Sequence, residues 1–517
     1  MKKIEMQRQS IIAILMGFVG MSILAWNMDY FVTREFHLGY AGAYWMMIPL
    51  FLGVLYMTVV GKMQGKERKL KGQPIGAWMP EVLIACLKIT AIAVLPLLLF
   101  TAVTSLKSLP GVLLGSGIFL LSAGILTGLG ILLRLFLHPF VAYPVMVVLT
   151  AMGILRGALS IILGNIGGGV ATAGDLLIKL APPIGRITYM AKDAAGLIPI
   201  EPIRWVQPIV YILFVLIILA LLIAQIKNWK RLGLAILSLF LLYMGMNYSN
   251  HRIDGQTKSA FDRAIQITDH TIWPGYALGD IQFALRDGKE ELFFTADSEP
   301  VRRPETIPVL AYTATLVDDV ATLHVLDYEQ TRGLYDVIGM DSLEGTMDSY
   351  ISVLAHEGFH GFQFSKLGEE GMDLFFGMSD YVTLGAELNQ DPVYKELWGR
   401  ELDCIYEYLV GEQPLVEYLK AREKRESHER ELLSPEDFAA YRHSQESMEL
   451  LEGTARYAEM MSMPGELREN RHFQSLKSNP TGAERYYLSG MGRCLILDQE
   501  DPDWKENFDF TTALMVE

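Results

Sequence analysis

Long apolar runs are the feature of this sequence that most restricts its fold. A membrane-spanning helix needs about 20 consecutive, mainly apolar residues. Seven runs come near this length, at roughly residues 10–28, 41–61, 82–104, 111–135, 140–164, 208–226 and 231–248. Since lipid cannot satisfy backbone hydrogen bonds, such runs must be helical. Residues 1–250 are therefore predicted to form an all-α, multi-pass membrane domain with about seven spans.

The charge balance changes where these runs end. Up to Asn250 the chain has 20 Lys and Arg against 8 Asp and Glu, a net charge of +12, whereas residues 251–517 carry −27. A basic, apolar half followed by an acidic half indicates a membrane domain followed by a water-soluble one. The lipid bilayer is thus the expected partner of the first half. The acidic second half excludes nucleic acid as a partner, because it would repel phosphates.

Basic residues in short loops predict the orientation, because Lys and Arg concentrate on the cytoplasmic side of membrane proteins. They cluster at the N-terminus, after the second run and between the last two runs: Lys2, Lys3, Arg8, Lys62, Lys66, Arg68, Lys69, Lys71, Lys227, Lys230 and Arg231. With seven spans these clusters share one side. The N-terminus is then expected in the cytoplasm and residues 251–517 outside it. One span more or fewer would reverse the side of the second domain.

The second half has strand patterns first and helical patterns later. After a polar link at 251–262, short β-type segments separated by turn residues occupy 263–327, near 280–285, 291–295, 309–315 and 320–326. Helical patterns fill 345–500, including segments near 371–388, 392–411 and 413–430. Another helix is predicted to start at Ser434, followed by Pro435, a good N-terminal signal. This order predicts an α+β domain.

One of these helices carries the pattern His-Glu-x-x-His, at His356, Glu357 and His360. Residues four apart lie on one helix face, so both imidazoles can bind one metal ion. A catalytic zinc ion takes three protein ligands and keeps a position for water. Glu357 is then the general base that takes the water proton. The pattern predicts a site for one zinc ion that needs a third ligand from elsewhere.

Two later segments resemble those of a peptidase family. The segment Glu-Gly-Thr-Ala-Arg-Tyr from Glu452 resembles the Glu-Gly-Phe-Ala-x-Tyr segment of the aminopeptidase N family, which with thermolysin belongs to the gluzincin peptidases. The segment Tyr-Leu-Ser-Gly from Tyr487 resembles its Tyr-x-x-Gly segment. The resemblance implies that Glu452 is the third zinc ligand and that Tyr487 donates to the oxyanion. Two alternatives stay open: Tyr486, one residue away, and Glu459, as a rival ligand or a histidine's partner.

The sequence departs from that family in two ways. Between His360 and Glu452 lie 91 residues, many more than in the family, so a helical insertion is expected there. No Gly-x-Met-Glu-Asn segment, with which an aminopeptidase holds a free amine, precedes the motif. Exopeptidase activity is therefore not implied. The strand near 320–326 is expected to offer its edge to an extended peptide.

These features predict a membrane-anchored zinc endopeptidase that cleaves peptides or protein segments near the membrane surface. The alternative is a membrane transport or sensor protein whose outer domain keeps the peptidase fold without catalysis. An intramembrane protease is excluded, because Asp348 and Lys366 flank the motif too closely for a spanning helix. Cys404 and Cys494 are expected either to pair outside the cytoplasm or to remain buried thiols.

Overall fold

The computed structural model describes residues 11–15, 17–22, 38–69, 75–156, 159, 174, 177–178, 180–197, 200, 202–223, 228–250, 253–287, 290–304, 312–338, 346–367, 384–385, 387–478, 480, 482–506, 508–511, 514 and 516. Contacts divide the chain into two compact units. The first comprises Met1–Gly255 and Glu329–Gly345, and the second comprises Gln256–Tyr328 and Thr346–Glu517. The predicted boundary after residue 250 is close to the first junction, but the return of residues 329–345 to the first unit has no counterpart in the prediction.

Helices build the described part of the first unit. In chain order they are α1 (Leu38–Lys69), α2 (Ile75–Thr104), α3 (Leu109–Phe136), α4 (Pro139–Ile154), α5 (Ile184–Ala195), α6 (Val206–Ile223), which follows a 3₁₀ turn (Pro202–Trp205), and α7 (Asn228–Asn250). Helix α3 is central and packs against α1, α2, α4, α5 and α6. A Cβ at Gly111 of α3 would overlap the carbonyl oxygen of Ala195 in α5. The close approach of these two helices therefore requires glycine at this position.

Within the described residues, four stretches are long and apolar enough to cross a membrane: Tyr40–Met63, Pro80–Thr104, Leu109–Phe136 and Pro202–Leu221. They correspond to four of the seven predicted runs. The other three runs, near 10–28, 140–164 and 231–248, coincide with shorter apolar helices, Ile11–Ser22, Pro139–Ile154 and Gly233–Gly245. Seven spans are therefore not confirmed. Helix α4, for example, ends before Arg156, a charge that would be costly inside lipid.

The second unit combines a sheet with helices. Its elements are α8 (Gly255–Thr268), a 3₁₀ turn (Leu278–Asp280), β1 (Gln282–Asp287), β2 (Glu290–Phe294), β3 (Val301–Pro304), β4 (Thr313–Val317), β5 (Val320–Val325), α10 (Met347–Leu367), α11 (Pro392–Leu409), α12 (Leu415–Leu432), α13 (Pro435–Met448), a π-helix (Glu449–Gly453), α14 (Thr454–Ser462), α15 (Gly465–Arg468), a second π-helix (Glu469–Phe473), a 3₁₀ turn (Gln474–Lys477) and α16 (Glu484–Glu500). Helix α9 (Tyr328–Ile338) lies between β5 and α10 in sequence and belongs to the first unit from Glu329 onward. After α8, the strands precede the other helices of this unit, as the sequence predicts.

The five strands form one mixed sheet in the order β3-β2-β1-β5-β4. Strands β1 and β5 are parallel, and the other neighbours are antiparallel. Phe261 of α8 lies 4.9 Å from Phe283 of β1 and 6.4 Å from Tyr350 of α10, measured between ring centroids. The sheet, α8 and α10 therefore share one apolar core.

The structure corrects the prediction of an edge strand near residues 320–326. Strand β5 pairs with β1 on one side and with β4 on the other, so β5 is internal. Strands β4 and β3 form the two edges of the described sheet. The pattern of apolar residues is similar in edge and internal strands. The sequence could not show which strand lies at the edge, because the order of strands depends on contacts between residues distant in sequence. The predicted polar link at 251–262 is also wrong in part, since α8 starts at Gly255.

The helices predicted after residue 345 agree with the structure where it describes them. Helix α10 starts at Met347, and α11 and α12 match the segments near 392–411 and 413–430. The hydroxyl of Ser434 accepts a hydrogen bond from the backbone N–H of Asp437 at 3.1 Å, which caps α13 as predicted. The segment near 371–388 lies almost wholly outside the described residues. Cys404 and Cys494 are both free and buried.

Buried ion pairs hold the start of α9 within the first unit. Asp193 of α5 pairs with Arg204 and, at 2.7 Å, with Arg332 of α9, and none of the three is more than 3% exposed. Beside them, Arg186 Nε lies 2.9 Å from Glu329 Oε1. A buried charge is costly unless it is paired, so these pairs favour one fixed position for residues 329–332.

Candidate metal centre

Helix α10 presents the two motif histidines side by side. The ring centroids of His356 and His360 are 5.0 Å apart, as expected for residues four apart on a helix. Both are buried, with 8% and 5% exposure. Helix α10 packs against β4 and β5 and also against α14. The fold therefore buries both imidazoles between the edge of the sheet and the later helices.

Glu452 joins the histidines from the first π-helix. Its Oε2 lies 3.5 Å from Nε2 of His356 and 3.3 Å from Nε2 of His360. One potential ligand atom from each of the three residues lies within 4.8 Å of the others. Two imidazole nitrogens and a carboxylate oxygen form a common donor set of catalytic zinc sites. These residues fit a zinc ion by chemistry and by spacing.

The π-helix that carries Glu452 is held by α16. A Cβ at Gly453 would lie 2.5 Å from the Cα of Gly490, so the two backbones are in direct contact. Glu449, at the start of the π-helix, is fully buried and accepts hydrogen bonds from Arg493 Nη2 at 3.1 Å and Ser489 Oγ at 2.8 Å. Single π-turns often occur at functional sites. Here the turn is fixed at both of its ends.

Glu459 contacts the other nitrogen of His356. Its Oε2 lies 3.2 Å from Nδ1, an ion-pair contact without the alignment of a hydrogen bond. Arg456 Nη1 donates to the same carboxylate oxygen at 2.9 Å. Because Nε2 of His356 faces Glu452 and Nδ1 faces Glu459, the latter is placed as a partner of the histidine and not beside the other ligand atoms.

Gln363 contacts Nδ1 of His360, as Glu459 contacts Nδ1 of His356. No motif in the sequence indicates this role of Gln363. Its Oε1 lies 2.8 Å from Nδ1 of His360. Its Nε2 lies 3.0 Å from the carbonyl oxygen of Leu451 and 2.8 Å from Oγ1 of Thr454. Gln363 follows His360 by three residues, a helical spacing that permits contact. An uncharged amide does not stand out in a pattern search, whereas its three partners are evident in the fold.

A cavity of about 160 Å³ adjoins the cluster. The residues that line it are Tyr312, Thr313, Ala314, His356, Glu357, His360, Phe364, Glu452 and Tyr487. The ring of Tyr487 stacks nearly parallel to that of His356, with centroids 6.2 Å apart. Both predicted catalytic residues, Glu357 and Tyr487, thus border the same space as the three potential ligands. Thr313 and Ala314 bring the edge strand β4 to this space.

Tyr486 is placed elsewhere. Its hydroxyl is 2.5 Å from that of Tyr441, and its ring packs edge-on against Trp398 at 5.6 Å. Tyr486 is buried at 2% exposure and does not line the cavity. Of the two adjacent tyrosines, Tyr487 is the one that borders the candidate site.

Burial and neighbouring charges shift the pKa values in the cluster. Burial raises the pKa of Glu357, although the two histidines oppose this shift. Burial would lower the pKa of His356, but Glu452 and Glu459 raise it to about 10. Burial would raise the pKa of Glu452, yet His360 and His356 hold it well below its usual range. This lowered pKa favours the carboxylate form of Glu452, which is the form that binds a metal ion.

The resemblance to the aminopeptidase N family is confined to short segments. The fold brings Glu452 next to His356 and His360, which share one helix. The function of these three residues is inferred from that arrangement. No protein-family model, curated protein or solved structure matches this chain.

Proposed function

We propose that this chain is a membrane-anchored zinc peptidase of the gluzincin type. The observation that carries the proposal is the convergence of His356, His360 and Glu452, although 91 residues separate the last two. Glu357 and Tyr487 border the same cavity. Buried acids and bases with strongly shifted pKa values in a cavity are typical of catalytic sites.

The chemistry is hydrolysis of a peptide bond. His356, His360 and Glu452 would hold the zinc ion, which supplies a Lewis acid that activates water and polarises the peptide carbonyl. The carboxylate of Glu357 accepts the proton that the attacking water loses. Glu357 then donates this proton to the peptide nitrogen as the C–N bond breaks, which gives a carboxylate and an amine. The hydroxyl of Tyr487 donates a hydrogen bond to the oxygen on which negative charge develops.

The position of strand β4 at the edge of the sheet is an argument that the substrate is a peptide. An extended peptide can add to an exposed sheet edge through backbone hydrogen bonds. Thr313 and Ala314 of β4 line the cavity beside Glu357, so a peptide paired with this edge would run past the general base. An edge strand binds the interior of a chain as readily as its ends, which favours endopeptidase activity.

Zinc content and one conservative substitution test the proposal. We expect the purified full-length protein to hold one zinc ion per chain. Glu357→Gln should keep the metal and lower the cleavage of quenched fluorescent peptides by at least about 100-fold, because a positioned proton carrier contributes about 10²–10⁴. The matched control is Glu446→Gln. This substitution removes an ion pair of 2.8 Å between Glu446 and Arg442, neither of which lines the cavity.

The outcomes separate the two candidate functions. If Glu357→Gln cleaves peptides as fast as the unchanged protein, Glu357 is not the general base and the mechanism is wrong. A chain that binds zinc through Glu452, cleaves no peptide and keeps its cellular function in the Glu357→Gln form would be a transport or sensor protein with an inactive peptidase fold.

The four long apolar helices among the described residues support membrane anchoring. With an odd number of spans, the basic loops lead us to propose that the peptidase unit lies outside the cytoplasm. Cysteines introduced at Ser259 and Ser478, both exposed, should react with a membrane-impermeant maleimide on intact cells. A cysteine at Gln73, in a predicted cytoplasmic loop, should not. The native cysteines are buried and give little background. The reverse labelling pattern would place the peptidase unit in the cytoplasm.

A further inference from the structure

Gln363 contacts both elements that carry the potential metal ligands. It lies on α10 with His356 and His360, and its amide nitrogen reaches Leu451 and Thr454, which flank Glu452 in sequence. The side chain is completely buried. A buried amide that makes all its bonds within one site has a fixed orientation, and this orientation has a consequence for His360.

The two contacts of the amide nitrogen determine which end of the amide faces the histidine. The carbonyl oxygen of Leu451 can only accept a hydrogen bond. The hydroxyl of Thr454 donates to the carbonyl oxygen of Leu450 at 2.6 Å, so it acts as an acceptor toward Gln363. Both partners therefore require the NH₂ group of Gln363. Its oxygen, an acceptor, must face Nδ1 of His360.

The orientation of the amide determines the tautomer of His360. Because Oε1 of Gln363 cannot donate, Nδ1 of His360 must carry a proton to form the bond at 2.8 Å. The lone pair that can bind a metal is then on Nε2, the nitrogen that lies 3.3 Å from Oε2 of Glu452. A neutral histidine with the opposite tautomer would leave two acceptors facing each other in a buried place, which is costly.

The same amide ties two elements together. Its bonds to Leu451 and Thr454 join α10 to the π-helix and to the start of α14. Glu452 lies within this joined turn. The distance between the carboxylate and the two imidazoles therefore depends on Gln363 as well as on the contacts of the π-helix with α16.

We propose that Gln363 is a positioning residue of the metal centre, which sets the tautomer of His360 and couples α10 to the turn that carries Glu452. The proposal rests on the metal site of the proposed function but not on peptide hydrolysis. It assigns Gln363 two roles that can be separated, one toward the histidine and one toward the π-helix.

Two substitutions separate these roles. Gln363→Met has a similar volume and removes every hydrogen bond. Gln363→Glu keeps an acceptor for the Nδ1 proton of His360 but loses the NH₂ donor to Leu451 and Thr454. Gln282→Met is the control, since Gln282 accepts a hydrogen bond from Thr322 at 3.2 Å in the sheet and is not a neighbour of the metal ligands.

Metal binding to the full-length protein is the readout. Zinc affinity is measured by competition with a chromophoric chelator, and the visible absorption of the cobalt(II) form reports the ligand geometry. Gln363→Met should weaken zinc binding by about 10- to 100-fold and change the cobalt spectrum. Gln363→Glu should weaken zinc binding less than Gln363→Met does, because it keeps the acceptor for the Nδ1 proton and loses only the contacts with Leu451 and Thr454. Both variants should lower the melting temperature of the metal-free form. Gln282→Met should change neither.

Several results would overturn the proposal. One is a Gln363→Met variant that binds zinc as tightly as the unchanged protein, with the same cobalt spectrum, since that is what a purely structural role gives. Another is an equal loss of affinity in Gln363→Glu and Gln363→Met. If the unchanged protein binds no zinc, both this proposal and the proposed function are wrong. If zinc binds but no peptide is cleaved, only the proposed function is wrong.

Discussion

At the scale of single residues, each motif histidine has its own partner at Nδ1. His356 meets the carboxylate of Glu459, which is itself paired with Arg456. His360 meets the neutral amide of Gln363. A carboxylate partner makes an imidazole more basic than an amide does. The two histidines are therefore expected to differ in donor strength toward a bound metal.

This arrangement predicts different effects for the two nearby glutamates. Glu452→Gln should abolish zinc binding at micromolar metal, because a carboxylate ligand is lost. Glu459→Gln should keep one zinc ion per chain and weaken its binding by about 10- to 100-fold. Glu484→Gln is the control, because Glu484 also pairs with Arg456, at 3.3 Å, but is exposed. Equal zinc affinity in Glu452→Gln and in the unchanged protein would remove Glu452 from the ligand set.

The adjacent tyrosines provide a second test at this scale. Tyr487→Phe should lower kcat by about 10²–10³ with little change in KM, the usual cost of removing an oxyanion donor. Tyr486→Phe should leave kcat unchanged and lower the melting temperature, because its hydroxyl bonds to Tyr441 in the core. Steady-state kinetics and thermal unfolding of both variants check this. If Tyr486→Phe is the variant that loses turnover, the assignment of Tyr487 is wrong.

At the scale of elements, the π-helix is the part of the site that depends most on packing. Its contact with α16 requires glycine at Gly453, where a Cβ would meet the Cα of Gly490 at 2.5 Å. By helix propensity alone, alanine would stabilise a helical position by about 1 kcal/mol relative to glycine. We therefore expect replacement of Gly453 by alanine to lower the free energy of unfolding, whereas helix propensity alone would raise it. This difference in sign makes the substitution a test of the contact with Gly490.

We expect Gly453→Ala to destabilise the protein by about 1–3 kcal/mol, the typical cost of overpacking, and to weaken zinc binding by displacing Glu452. Gly465→Ala, where the added methyl group meets open space, should have little effect on either. Chemical denaturation and chelator competition measure the two quantities. A Gly453→Ala variant that is as stable as the unchanged protein would contradict the close contact of the two backbones.

The parts of the site that could be predicted from the sequence are those whose interacting residues lie close together along the chain. His356, Glu357 and His360 follow from local helical spacing, and Ser434 was predictable as a cap because its partner, Asp437, is three residues away. The π-turn at Glu449–Gly453 was not, because it depends on Gly490 and Arg493 of another helix. The edge position of β4 and the role of Gln363 depend in the same way on contacts between segments distant in sequence.

At the scale of the whole molecule, the chain between β5 and the motif helix α10 returns to the first unit. Residues 329–345 belong to that unit by contact, while the strand before them and the helix after them belong to the second. In the described part of this segment, Arg332 pairs with Asp193, which also pairs with Arg204.

Asp193→Asn should release the start of this segment. The substitution removes a buried counter-charge of two guanidinium groups, and breaking a buried pair costs about 3–5 kcal/mol. Amides of α9 should then exchange hydrogen roughly 100-fold faster or more, because local opening becomes easier by that free energy. Mass-detected hydrogen exchange on the full chain in nanodiscs measures this. Asp348→Asn is the control, since its pair with Arg263 is 38–47% exposed and such pairs contribute about 0–1 kcal/mol. If α9 exchanges at the same rate in the Asp193→Asn and Asp348→Asn variants, Asp193 does not anchor the segment, and its position must depend on apolar packing instead.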